Sequence, residues 1–315
     1  MKGELISWII PCFNEEEVIE TAIKRIISIS RGKKEYKWEL ILIDDGSKDR
    51  TREKIKLISE KESGITLIGL SRNFGHQIAV QAGLNNCLGS AAIIIDADLQ
   101  DPPEVALDMI QKWEEGFDVI YARRKQRESE SIFKKLSALI FYRIIKNLSE
   151  VNIPVDTGDF RLIDKKVIKA LNEMPENFRF MRGLISWVGF KQSEILYVRH
   201  KRYAGVSKYP LQKMITFAME GITSFSRKPL QIASITGFIF SIASIIGIAY
   251  VVFIRLFTES WVSGWAFLAC ILLLSSGIQM LFIGILGEYI GRTYIETKKR
   301  PLYFINERID YNNTI

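Results

Sequence analysis

Two long uncharged runs set the first limit on how this chain can fold. Pro229 to Ile254 carries no charged residue over 26 positions, and Ser260 to Gly287 carries none over 28. About 20 apolar residues cross a bilayer as a helix, so each run can span with some tilt. Only Arg255 to Glu259 separates them, which predicts a helical hairpin. Trp261 and Trp265 lie near that link, as aromatic anchors do at a membrane interface. Arg227 and Lys228 precede the first run, and Arg292, Lys298, Lys299 and Arg300 follow the second. The positive-inside rule then places both termini and everything before residue 229 in the cytoplasm, in a multi-pass protein of the inner (plasma) membrane. Met1 to Pro11 leads straight into a strand without a cleavage site, so no signal peptide is expected. Cys12, Cys87 and Cys270 are too scattered for a disulfide framework or a zinc site.

The first half has a different texture. Leu5–Ile10, Trp38–Ile43, Ile65–Leu70 and Ala91–Ile95 read as buried strands. Glu15–Ser30, Asp49–Lys61 and Gln77–Cys87 between them have helical spacing. Strands alternating with helices predict an α/β domain with a parallel sheet covered on both faces. Strand ends at Pro11, Asp44 and Asp96 then converge on one crevice, where open sheets of this kind bind ligands. No glycine-rich dinucleotide or P-loop fingerprint is present, so a nucleotide would be held by carboxylates and a metal.

Ile93-Ile94-Ile95-Asp96-Ala97-Asp98 carries the chemistry. Alternate residues of an extended segment point the same way, so Asp96 and Asp98 can face one ion. Hard oxygen ligands suit Mg²⁺ or Mn²⁺ on a nucleotide diphosphate, and Gln100 is a candidate to orient a metal water or ligand. The net charge of +7 is concentrated in two segments. Arg123 to Lys146 holds eight Lys/Arg against Glu128 and Glu130, and Arg199 to Lys228 holds seven against Glu220. Bases interleaved with apolar residues beside two spans point to lipid head groups or a lipid phosphate, not to nucleic acid. His76 and His200 fit no ligand spacing and read as structural or exposed.

Several ordered motifs together resemble glycosyltransferase family 2. They are Ile9-Ile10-Pro11-Cys12-Phe13-Asn14-Glu15-Glu16, Ile43-Asp44-Asp45-Gly46-Ser47, Asp96-Ala97-Asp98 and Asp156-Thr157-Gly158-Asp159-Phe160-Arg161-Leu162. The likeness continues through Arg182-Gly183, Arg202 to Tyr209, Gly287 to Arg292 and Glu296 to Pro301, and within the family the chain looks like the polyprenyl-phosphate glycosyltransferases. It implies a GT-A nucleotide-sugar fold (Rossmann-like) with a C-terminal two-helix transmembrane hairpin. The expected organisation is a catalytic domain over 1–206, an amphipathic segment over 207–228, two spans over 229–291 and a tail over 292–315.

The resemblance also implies roles. Pro11, Asn14 and Glu15 would line the nucleotide pocket, and Asp44 or Asp45 would accept a hydrogen bond from the base. Asp44 to Ser47 also reads as a turn with a helix cap at Ser47. Asp96 and Asp98 would hold the metal that neutralises the leaving diphosphate. The acceptor would be a lipid monophosphate, whose second pKa is about 6, so it arrives ionised and needs no strong base. Asp159, which the family nominates as base, is therefore expected to orient instead. A capped turn paired internally with Arg161 is its plain alternative. Arg123, Arg124 and Arg127 are candidates for the acceptor phosphate, as are Arg202 and Lys208 in a segment that Gly205 and Ser207 would let close as a lid.

The expected reaction is inverting transfer of a hexose to a polyprenyl phosphate, most simply glucose from UDP-glucose to undecaprenyl phosphate. A mannose synthase using GDP-mannose is the alternative. A processive polysaccharide synthase is disfavoured because no Gln-x-x-Arg-Trp motif is present. A non-catalytic adaptor is disfavoured because the acids and bases are all retained. A homo-oligomer, by family precedent a tetramer, is expected, with Gly237, Gly247, Gly277 and Gly284 permitting close helix packing.

Overall fold

The structure is a computed structural model that describes residues 3–125, 154, 157–199, 226, 228–257 and 264–311. Its strands are β1 (Leu5–Cys12), β2 (Lys37–Asp44), β3 (Ile65–Leu70), β4 (Ala91–Ile94), β5 (Val119–Arg124), β6 (Thr157–Asp164), β7 (Gln192–Tyr197) and β8 (Ile305–Tyr311). The helices are α1 (Ile19–Gly32), α2 (Thr51–Ser59), α3 (His76–Asn86), α4 (Val105–Glu114), α5 (Lys165–Glu173), α6 (Met181–Trp187), α7 (Lys228–Phe257) and α8 (Trp265–Thr297).

One sheet, ordered β7-β5-β6-β4-β1-β2-β3-β8, organises the chain around it in a GT-A-like arrangement. Strands β3, β2, β1 and β4 are parallel, as the alternating pattern requires. The sheet is mixed, however: β6 runs antiparallel to β4 and β5, and β8 runs antiparallel to β3. Side-chain alternation splits the core across it. Ile6, Trp8 and Ile10 of β1 join α1, α2 and α4 on one face, with Trp8 stacked on Trp38 at 6.0 Å. Ile9 joins Ile41, Ile43 and the inner sides of α3, α5 and α6 on the other.

Two departures from the expected boundaries have physical causes. The helix expected from Glu15 begins at Ile19, because the preceding backbone is spent on a neighbouring loop. Asn14, held at φ +55°, donates its N–H to Ser47 Oγ, and the Glu15 N–H goes to Thr51 Oγ1 at 2.8 Å. The segment read as a separate tail, 292–315, supplies β8, so the chain returns from the apolar helices to the sheet edge. Lys56 pairs with Glu307 at 2.6 Å, and Asn85 bonds Tyr303 at 3.0 Å, fastening that return.

Helix α3 lies very close to the sheet. A Cβ on Gly83 would come within 2.3 Å of Ile9 Cγ2 and 2.9 Å of Ile43 Cδ1. Gly83→Ala is expected to destabilise the domain by about 1–3 kcal/mol through overpacking, read as a lower melting temperature. This approach aims the N-terminus of α3 at the crevice.

Candidate active site

The β1–α1 and β2–α2 loops are bonded to each other where β1 and β2 end. Lys48 donates its N–H to Asn14 Oδ1 at 2.9 Å, Glu16 donates to Asp49 Oδ2, and Arg50 returns a bond to Glu16 Oε2. The two aspartates at the end of β2 are largely committed within the protein. Asp44, fully buried, holds Arg52 through Nε at 2.7 Å and Nη2 at 2.6 Å and accepts the Ser47 N–H. Asp45 accepts the N–H groups of Phe74 and Gly75 at 2.7 and 2.9 Å, drawing the loop before α3 inward. Burial raises the Asp45 pKa, although those two bonds oppose it. Ser47 does not cap α2, whose N-cap residue Arg50 makes no side-chain cap bond; Asp49, one position earlier, accepts the Thr51 N–H at 3.0 Å. Pro11 lies buried near the end of β1 beside Cys12, whose thiol burial pushes well above its usual range.

Asp96, Asp98 and Gln100 follow β4 in a tight turn. The Gln100 N–H bonds Asp98 Oδ1 at 3.1 Å, and Leu99 takes φ +56°. Asp96 Oδ1 is buried and accepts no hydrogen bond among the described residues. Burial, with Asp159, Asp98 and Asp101 nearby, pushes Asp96 up to about 6 against the opposing pull of His76. No group of three or more His, Cys, Asp or Glu is set to cage a metal among the described residues. Mg²⁺ and Mn²⁺ need no such cage, since they take one or two carboxylates and complete their shell with phosphate oxygens and water. Two carboxylates, one with a buried oxygen that accepts no hydrogen bond and has only His76 Nε2 near it at 3.5 Å, fit that requirement.

Asp101, which the sequence reading passed over, anchors the same loop. It is buried, accepts the Tyr197 hydroxyl and pairs with Arg199 at 3.1 Å. Arg124 donates to the Tyr197 hydroxyl at 3.3 Å and so lines this side of the crevice. Its neighbour Arg123 pairs with Glu194 at 2.7 Å on an exposed patch. The structure thus joins only one of these two phosphate candidates to the crevice acids. Arg127, Arg202, Lys208, His200, the lid segment and most of both basic segments lie outside the described residues.

Asp159, on β6, sits opposite Asp96 with three side-chain partners. His76 Nε2 lies 3.1 Å from Oδ2, Gln77 donates to the same oxygen at 3.0 Å, and Arg182 Nε lies 3.3 Å from Oδ1. Arg161, the partner in the plain alternative of a capped turn, donates to the carbonyls of Gly158 and Asp159. Burial would raise the Asp159 pKa, but the His76 bond and the Arg182, His76 and Arg161 charges hold it far below the carboxylate range.

His76 is exposed, as expected, but it is not isolated. It is a component of the crevice, 3.5 Å from Asp96 Oδ1 as well as 3.1 Å from Asp159. Burial lowers its pKa, yet the two carboxylates raise it to about 9. A histidine whose folded pKa exceeds its unfolded value near 6.5 stabilises the fold fully below that value and loses the contribution as pH rises through about 9. His76→Gln should therefore flatten the fall in melting temperature of the metal-free protein between those limits. An unchanged slope would remove the imidazolium from this role. The available signal was positional: Asn73-Phe74-Gly75-His76 follows a parallel strand, at the sheet edge where ligands bind.

The profile of glycosyl transferase family 2 matches residues 7–171. An uncharacterized glycosyltransferase, YkcC of Bacillus subtilis, is 47% identical over 307 residues, covering 98% of this chain and 95% of that protein. A prophage bactoprenol glucosyl transferase homolog of Escherichia coli is 41% identical, covering 95% and 98% of the two chains. The bactoprenol glucosyl transferase of Shigella phage SfX is 39% identical, covering 96% and 99%. Among solved structures, glucosyl-3-phosphoglycerate synthase from Mycobacterium tuberculosis with Mn²⁺ and UDP aligns at 20% identity and a TM-score of 0.45, over 70% of this chain and 78% of that one. On the profile match and these full-length relatives, the chain is a glycosyltransferase and belongs to glycosyl transferase family 2.

Proposed function

We propose that the protein transfers a glucosyl group from UDP-glucose to a polyprenyl phosphate, such as undecaprenyl phosphate, with inversion at the anomeric carbon. The observation that carries this reading is the pairing in one crevice of the Asp96–Asp98 turn with the Asp159–His76–Arg182 cluster. The names of the bactoprenol glucosyl transferase relatives support the choice of sugar and acceptor.

Asp96 and Asp98 would hold Mg²⁺ or Mn²⁺, which when bound supplies Lewis-acid neutralisation of the leaving diphosphate. The remaining work falls to the chain. An acceptor phosphate dianion entering among these acids meets repulsion, and Arg124, Arg182 and His76 offset it. Asp159 is a poor proton acceptor because its cationic partners stabilise the ionised form. It orients those partners and leaves deprotonation to the acceptor's own second ionisation. The Asn14–Ser47 wall takes the nucleotide.

The reading puts this chemistry at a membrane. Helix stretches Lys228–Ile254 and Leu274–Thr297 are long and apolar enough to cross, neither is buried within the protein, and the charged turns after Gly287 would emerge from the apolar layer. Burial of α7 and α8 in lipid removes the cost of that exposed apolar surface. Because β8 pairs with β3, the chain before α7 and the chain after α8 share one side, and the basic flanks favour the cytoplasmic face. Gly237, Gly247, Gly277 and Gly284 face open space, which supports packing of the hairpins into a homo-oligomer.

The test is transfer by the purified protein from UDP-glucose or GDP-mannose, each labelled in the sugar, to undecaprenyl phosphate with Mn²⁺. Labelled lipid from UDP-glucose alone is expected. Product from GDP-mannose would replace glucose by mannose, and no lipid product from either would sink the reading.

A further inference from the structure

We propose that Glu296, on the last turn of α8, is a positioning residue for Asp159, so that the helix leaving the membrane sets the register of the active site. The proposal rests on the reading of Asp159 as a group that orients the transfer. Glu296 reaches back 119 positions in sequence. Its two oxygens accept the Asn177 N–H at 2.8 and 3.0 Å, Oε2 accepts Asn177 Nδ2 at 2.8 Å, and Oε1 accepts the Phe178 N–H at 3.4 Å. One turn earlier, Arg292 lies over the Phe178 ring at 4.6 Å while bonding Glu288 at 2.9 Å. Glu288, Arg292 and Glu296 are spaced by four and form one stripe, which holds residues 177–178 through Arg292 and Glu296. Bonds from backbone N–H groups to an ionised carboxylate are about twice as strong as neutral ones, so this is a firm clamp.

The clamped loop runs directly to the catalytic cluster. Arg179, buried, donates to the Leu171 and Met174 carbonyls. Met181 donates its N–H to Gln77 Oε1 at 3.0 Å, and Gln77 Nε2 bonds Asp159 at 3.0 Å. Arg182, the next residue, pairs with the other Asp159 oxygen. Phe178 to Met181 is therefore tied to α8 at one end and to Asp159's partners at the other. Displacement at Glu296 is passed to Gln77 and Arg182 together. Gly287 is the last residue of the uncharged run, and Glu296 lies about 14 Å further along the axis at 1.5 Å per residue. In the membrane reading, this stretch is a strut that fixes the height of Asp159 above the surface where the acceptor phosphate lies.

The full-length protein in detergent, assayed with UDP-glucose and a short, water-soluble prenyl phosphate, separates positioning from membrane insertion. Glu296→Ala should lower kcat about 10-fold with the KM for UDP-glucose unchanged. Glu296→Gln, which keeps the shape and one acceptor oxygen, should recover part of the loss. Gln77→Ala combined with Glu296→Ala should lose no more than the worse single variant, because both cut one chain of contacts. An unchanged kcat, a rise in KM alone, or losses that multiply would overturn the proposal. If Glu296→Ala fails to fold, the cycle between Glu296→Gln and Gln77→Ala decides by the same criteria. A wild-type protein without transfer would instead reject the assigned function.

Discussion

Replacing Asp96 or Asp98 by Asn should lower sugar transfer on the order of 1,000-fold, about 4 kcal/mol of transition-state stabilisation, without unfolding the protein. Asn keeps the shape of the side chain but removes a negative oxygen from a two-carboxylate donor set. Asp96 is about one-third exposed and its Oδ1 accepts no hydrogen bond, so the fold should lose only the ion pair with His76 at 3.5 Å. The measurement is transfer to undecaprenyl phosphate over a range of Mn²⁺ concentrations, with the melting temperature as control. Survival of transfer in both variants would refute the metal assignment.

The second large effect is expected at Asp159. Asp159→Asn should reduce kcat on the order of 100-fold, because it leaves His76 and Arg182 without the anion that separates and orients them. The direction of its pKa distinguishes two mechanisms. A carboxylate held far below its usual range is a weak base, so small exogenous bases such as formate should not rescue Asp159→Ala. Rescue by formate would identify Asp159 as the base and overturn the orienting role. The acid limb of the wild-type rate profile should follow the acceptor's second ionisation near pH 6.

Much of this was legible locally. The strand and helix alternation through residue 95 follows from apolar periods of two and of 3.6, and each element formed within a few residues of its expected place. The Asp96–Asp98 turn could be read because strand, acids and prolines are adjacent in the chain. Arg123 and Arg124 could not be ranked from composition alone. They alternate across β5, and only the strand's place beside β7 decides that one meets Glu194 and the other Tyr197.

The sequence by itself determined the α/β class, the two long apolar helices and the acids at the end of β4, because each depends on residues within a few positions of one another. The tertiary structure decided which side chains share the crevice. His76 meets Asp159 across 83 positions, and Glu307 on β8 meets Lys56 across 251. Such contacts follow from strand order and from how closely α3 lies on the sheet, and no local period encodes either. An isolated histidine in the sequence thus becomes, once β6 inserts antiparallel beside β4, a cation between two carboxylates.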